Sequence, residues 1–264
     1  MRWELLGGWF ESWGPDVVAV ALCAARLLPV AFLCPLLGGQ AAPTTVKLAL
    51  VLSLALFLHQ EAGVSLSTPV TSPVHLAALT LKELTYGVSL GLVAALPFDA
   101  ARMGGRFIDL FRGTSAEASL PVTGSRESAT GDALHPLLVG MVISGGLMPV
   151  VLSGLVRGFG WVPLGAYVPG EGAVLRVVGL AGGAMATGLA IGAPVAAAVM
   201  AVDCLVGLVS RAAPQVNLQD MGAPLRILAG GALLWLGVGL FCERLLAGFL
   251  EVEDALFQLA EVAR

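Results

Sequence analysis

Apolar and polar positions alternate along this chain in long blocks. Six apolar runs stand out, at residues 17–37, 46–60, 74–98, 133–156, 173–209 and 224–250. A helix that crosses a bilayer takes about 20 such residues, so the second run is marginal. The fifth is long enough for two short helices, with Pro194 as the natural break or kink. Between the third and fourth runs lies a polar stretch, GGRFIDLFRGTSAEASLPVTGSRESATGD, from Gly104 to Asp132. The tail, residues 243–264, alternates apolar pairs with acids and predicts an amphipathic helix, most simply a solvated one.

The runs carry residues that a plain lipid-facing helix avoids. Arg26, Pro29 and Pro35 fall in the first, Pro97 and Asp99 at the end of the third, and Asp203 in the fifth. An unsatisfied polar group in hydrocarbon costs several kcal/mol, so each demands a protein or water partner. Helices packed on other helices are therefore expected in place of independent spans. Glycine pairs at helical spacing, Gly87/Gly91, Gly179/Gly183 and Gly188/Gly192, predict close backbone approach between helices.

Composition agrees with this pattern. Of 264 residues 57% are hydrophobic and only 12% charged, with a mean hydropathy of +0.90. A soluble domain carries about 25% charged residues, so this chain reads as an integral membrane protein. The net charge of −4 offers no basic stripe for nucleic acid. Cys23, Cys34, Cys204 and Cys242 lie in or beside apolar runs without metal-ligand spacing and read as small buried hydrophobes. The opening MRWELLGGWFESWGPD is too polar and aromatic for a cleaved signal, and the first apolar run is expected to act as an uncleaved insertion signal.

Positive charge is slightly biased. Connections one, three and five hold Lys47, Arg102, Arg106, Arg112, Arg126, Arg211 and Arg226. The other side holds Arg2, Lys82, Arg157, Arg176, Arg244 and Arg264, which favours residues 99–132 on the cytoplasmic face.

Catalytic chemistry is not apparent. His59, His75 and His135 sit in separate segments without metal-ligand spacing, and no nucleophile elbow or phosphate loop occurs. No catalytic residue, metal site or cofactor is expected, and the chain reads as a non-enzyme. Asp203 is the carboxylate deepest in an apolar run. It is either a proton or ion relay, a partner for Arg211, or a group facing another subunit.

Two motifs narrow the reading: GGRFIDLFRG at Gly104 to Gly113, and SRAAPQVNLQDMGAPLRI at Ser210 to Ile227. A weaker third is ARLLPVAFLCPLLGGQAAPTTVKLAL, Ala25 to Leu50. In this order the chain, over about residues 17–250, resembles the FliR/SctT family, the R/T-type export-apparatus protein of flagellar and injectisome type III secretion systems. Phe111 stands where the family often has Gln, Ala223 where an aromatic is common, and Asp220 at a usually apolar position. The residues also have a physical reading of their own. Asp109 and Arg112 are spaced to pair on one helical face, and Gly113 is placed to stop that helix. Arg211 to Pro214 ends a helix, because the residue before proline leaves the helical region. Gln215 and Asn217 can satisfy the backbone groups freed there, and Pro224 suits the first turn of the next helix. The element from Arg211 to Pro224 reads as a rigid helix–turn–helix corner, either a structural hairpin tip or a direct partner contact, while Gly105 belongs with Asp109 and Arg112 in the first motif.

The resemblance implies an all-α, membrane-associated fold of bent helical hairpins, one export-apparatus domain over 1–264, packing with partner subunits in a helical export gate. It implies a multi-pass protein of the bacterial inner membrane. The implied function is structural: lining and closing the pore through which unfolded secretion substrates pass. The segment after Gly113, about Thr114 to Asp132, would plug the resting pore, with Ser115, Glu117, Pro121, Gly124, Arg126 and Glu127 among its residues. Its Gly, Ser and Thr content gives a hydratable chain with few packing contacts. An ordinary cytoplasmic connection is the plainer alternative. Implied partners are P/R-type (FliP/SctR-like) and Q/S-type (FliQ/SctS-like) subunits, the B/U-type switch protein and the A/V-type gate. The alternative function is a small secondary transporter, with broken helices at Pro97 and Pro194 around Asp203.

Overall fold

The computed structural model describes residues 2–39, 42–66, 70, 72–113, 128–168, 170–213 and 219–263. Among them the chain is helical, with no strand. The helices are α1 (Arg2–Leu33), α2 (Thr44–Gln60), α3 (Pro73–Arg112), α4 (Ala129–Ser144), α5 (Met148–Trp161), α6 (Glu171–Ala212), α7 (Gln219–Leu250) and α8 (Val252–Val262). A 3-10 turn at Pro35–Leu37 follows α1.

Each apolar run is helical, but the ends moved. The third run extends through the charged residues to Arg112, giving α3 40 residues, and the fifth is one helix of 42. Both exceed the roughly 20 residues of a single crossing. Pro194 does not end α6: it removes one amide donor, and the helix continues on either side. The fourth run, by contrast, is divided into α4 and α5 at residues 145–147, where Gly146 takes a φ of +66° closed to a side chain. Four stretches are long and apolar enough to cross a membrane: Gly14–Leu33, Pro73–Arg112, Glu171–Ala212 and Gly222–Val262. A fifth results if Ala129–Ser144 and Met148–Trp161 form one broken span. The fold is all-α and membrane-associated, as the sequence implied.

The chain gathers into two compact units. The first holds Met1–Ala95, Gly146–Ala181 and Glu251–Arg264, and the second Leu96–Gly145 and Gly182–Leu250. In α3 the division falls beside Pro97, where the missing amide weakens the helix.

In the first unit α1 packs on α2, and α5 on α8. Helices α1 and α3 approach closely because Gly87 and Gly91 lack side chains. A Cβ added at Gly87 would land on the carbonyl oxygen of Arg26, and one at Gly91 on the backbone of Val30. The tail is not a solvated helix. Helix α7 runs on to Leu250, and α8 buries Val252, Leu256, Leu259 and Ala260. Leu256 fills the space left by Gly154, Phe257 meets Trp161 edge-on at 5.1 Å, and Glu253 accepts from Arg157 at 2.6 Å. The amphipathic face predicted from sequence thus has a partner within its own chain.

In the second unit α4 packs on α7, and α3 on α6 through glycines of both helices. A Cβ on Gly188 would strike the Ala100 carbonyl, and one on Gly104 the Gly188 carbonyl. The pair Gly179/Gly183 differs: nothing in the described residues lies within 4 Å of a Cβ at either. Phe98 is fully buried between Phe249 and His135, at 5.9 and 6.1 Å.

Candidate functional site

The end of α3 turns Ile108 and Asp109 inward, at 0% and 1% exposure. A carboxylate so buried must be bonded, and Asp109 finds its partners at the start of α4. Its Oδ2 accepts the backbone N–H of Thr130 at 2.7 Å, and its Oδ1 accepts the Thr130 hydroxyl at 2.5 Å. The first amides of a helix have no partner within it and carry partial positive charge. Asp109 therefore caps a helix other than its own. Ser128, the N-cap of α4, takes the Gly131 amide on its Oγ at 3.0 Å, completing the first turn.

The two helix ends touch as well as bond. A Cβ at Gly105 would fall on the backbone of Gly131, so only glycine permits this spacing. Arg112 closes the outer side, with Nη1 at 3.5 Å from Asp109 Oδ1 and 3.3 Å from Thr130 Oγ1. Its Nη2 reaches the Ile227 carbonyl of α7 at 3.5 Å, and Gly230 leaves room for its stem. Helix α3 ends there, with Gly113 at φ +71°. The predicted Asp109–Arg112 pairing and the Gly113 stop are both present. Thr130, Gly131 and Gly230 were not singled out from sequence. The available signal was a Ser-Ala-Thr-Gly helix start, which does not say whose carboxylate caps it.

The other predicted residues separate into several groups. Thr114, Ser115, Glu117, Pro121, Gly124, Arg126 and Glu127 lie outside the described residues, as do Pro214, Gln215 and Asn217. Asp132, read as the end of the polar loop, is in the first turn of α4, where the helix dipole favours an acid. Helix α6 ends at Ala212, as its approach to proline predicted, with Ala213 N–H bonded to the Val209 carbonyl at 2.8 Å. Pro224 does not open α7. The helix starts at Gln219, and Pro224 forfeits the bond to the Asp220 carbonyl near its end. Asp203 pairs with Arg226 across the α6–α7 hairpin at 3.0 Å, and not with Arg211. The hairpin returns α7 beside α6, which sequence spacing does not convey.

A second polar node lies in the first unit. Arg26 and Glu83 are both fully buried, with Arg26 Nε donating to Glu83 Oε2 at 2.5 Å. Arg26 Nη1 donates to the Val162 carbonyl at 2.7 Å, and Glu83 Oε1 accepts the Gly165 amide at 2.7 Å. The guanidinium also lies over the rings of Tyr86 and Phe159, at 4.9 and 4.5 Å. Tyr167, in the connection after α5, stacks on Tyr86 at 4.9 Å, and burial raises its phenol pKa. This node supplies the partner that the interruption at Arg26 required. Glu83, a lone acid in its apolar run, was the signal overlooked.

Among the described residues no three His, Cys, Asp or Glu side chains converge as a metal site. What the geometry offers is fastening: one node holds α3, α4 and α7, and the other holds α1 and α3 to the connection between α5 and α6.

Comparison with known proteins accords with the motifs. The model of the family "Bacterial export proteins, family 1" matches residues 17–252. The flagellar biosynthetic protein FliR of Bacillus subtilis (strain 168) is 26% identical over 197 residues, 73% of this chain and 75% of that protein. FliR of Escherichia coli (strain K12) is 26% identical over 231 residues, covering 83% and 85%. The Yop proteins translocation protein T of Yersinia pestis is 27% identical over 202 residues, 75% and 76% of the two chains. A match across nearly the whole chain, together with its apolar helices, makes this a multi-pass inner-membrane member of the bacterial export proteins, family 1, the FliR/SctT family of export-apparatus subunits.

Proposed function

We propose that the protein is a pore-lining and pore-closing subunit of a type III export gate, through which unfolded substrates cross the inner membrane. The observation that carries this reading is the family match over residues 17–252, to relatives from both flagellar and injectisome systems. The physics of the chain supports it. Helices α6 and α7 present many large apolar side chains, with Leu228, Trp235 and Leu236 each more than two-thirds exposed. Among the described residues the buried charges Arg26, Glu83 and Asp109 lie inside fastening nodes and Lys47 lies over the Phe32 ring at 4.6 Å, and the chain's chemistry suits a passive conduit, with energy supplied by other components.

The polar segment 114–132 is the proposed closing element, with Gly113 at its start and Asp132 already in the following helix. Charges at Glu117, Arg126 and Glu127 require water or protein around them, never lipid. The corner at Arg211, Pro214, Gln215 and Asn217 is the proposed contact with a neighbouring subunit. The proposed partners are the P/R-type and Q/S-type subunits, then the B/U-type switch protein and the A/V-type gate.

Co-expression of the tagged chain with and without the P/R-type and Q/S-type subunits of its own organism tests the assignment. Detergent extraction, gel filtration and native mass spectrometry are expected to give a hetero-complex only when they are present. A well-behaved monomer that ignores them would overturn it, and flux measurements would then test the secondary-transporter alternative.

A further inference from the structure

The proposed closing segment leaves one helix and enters another, and the two ends are not independent. Asp109, four residues before Gly113, accepts two bonds from Thr130, the second residue of α4. Both groups are buried, Asp109 at 1% and Thr130 at 8% exposure. Separating them would strand a carboxylate and a helix-start amide away from water, where neither is stable unpaired.

Two further contacts oppose such a separation. Gly105 and Gly131 meet backbone to backbone, so sliding one helix along the other would bring neighbouring side chains into collision. Arg112 spans the joint from outside and ties it to the Ile227 carbonyl, with Gly230 shaped around its stem. The end of α3, the start of α4 and one turn of α7 thus converge on one buried carboxylate.

We propose that Thr130 is a positioning residue: with Asp109 it forms a permanent joint that keeps α3 and α4 together throughout export. The conformational change that admits a substrate then takes place without parting these helix ends. The joint sets where both helices stop, and so where the intervening chain is supported. The inference rests on the closing-segment reading only in its leak measurement, because the joint is defined by described residues alone.

The test uses the assembled export complex in cells, with three readings: amount of complex, ion leak at rest, and substrate secretion. Thr130→Ser keeps both the hydroxyl and the amide and is expected to behave as the unaltered protein. Thr130→Val keeps the shape but loses the hydroxyl, and is expected to assemble yet leak several-fold more per complex. A change in complex amount with no change in leak would make Thr130 merely structural and overturn the proposal.

A cysteine pair, Asp109→Cys with Thr130→Cys, closed by oxidation or by a short thiol cross-linker, reads permanence directly. The linked complex is expected to secrete. Secretion blocked by the link and restored by reduction would show that the joint opens in the cycle, and would overturn the proposal. If the pair does not assemble, the comparison of Val with Ser decides. Deleting 114–127 separates the two ideas: no leak on deletion removes the closing-segment reading, and the joint is then judged by the linked complex alone.

Discussion

Glu83 and Arg26 meet at 2.5 Å with neither side chain exposed, and between them they bind three backbone groups of the connection after α5. Burying two charges costs several kcal/mol each, so the pair is held by the sum of its contacts and not by attraction alone. Removing one partner leaves the other charged and unpaired.

Arg26→Met or Glu83→Gln alone is therefore expected to destabilise the chain by about 3–5 kcal/mol. Arg26→Met combined with Glu83→Leu should recover much of that loss. Thermal unfolding of the purified complex in detergent measures it. A double variant as unstable as the singles would mean that the bonds to Val162, Pro163 and Gly165 dominate.

The glycine pairs divide into two kinds. Gly87→Ala places a methyl on the Arg26 carbonyl, and Gly188→Ala one on the Ala100 carbonyl, so both should reduce the amount of folded chain. Gly179→Ala and Gly183→Ala point into open space within the chain and should leave its amount unchanged, or raise helix stability by up to about 1 kcal/mol. Membrane-fraction immunoblots compare the four. Equal losses at all four sites would contradict the packing described.

Asp203 is paired with Arg226 at 3.0 Å, and both side chains are more than one-third exposed. Such a pair contributes at most about 1 kcal/mol. Asp203→Asn with Arg226→Gln is expected to preserve secretion. Abolished secretion with an intact complex would instead assign Asp203 the relay role considered from sequence.

Helix α8 allows a comparison of apolar and ionic contributions in one interface. Leu256→Ala empties a fully buried site against Gly154 and is expected to cost about 2–5 kcal/mol. Arg157→Ala breaks an exposed pair with Glu253 and should cost about 1 kcal/mol or less. Detergent melting of the two variants ranks them, and a reversed order would mean that α8 is held by charge.

By itself the sequence determined the class of the protein, its six apolar runs and its family. Those follow from properties that are local or additive: run length, charge fraction, glycine spacing, and motif residues in order. The Asp109–Arg112 pairing was legible for the same reason, since both residues lie on one helix. Partners across the chain were decided by tertiary structure. Asp109 could be seen to face Arg112, but only the return of α4 against α3 supplied Thr130. Arg26 could be seen to need a protein or water partner, and only the packing of α1 on α3 through Gly87 brought Glu83 to it. Asp203 was given Arg226, not Arg211, by the α6–α7 hairpin. The amphipathic tail showed an apolar face, yet water, lipid and protein remain open choices for any such face until α5 covers it. Proline was the least legible residue. Its local cost, one hydrogen bond and a ring clash with the preceding turn, did not end α6 at Pro194 or move the start of α7 to Pro224.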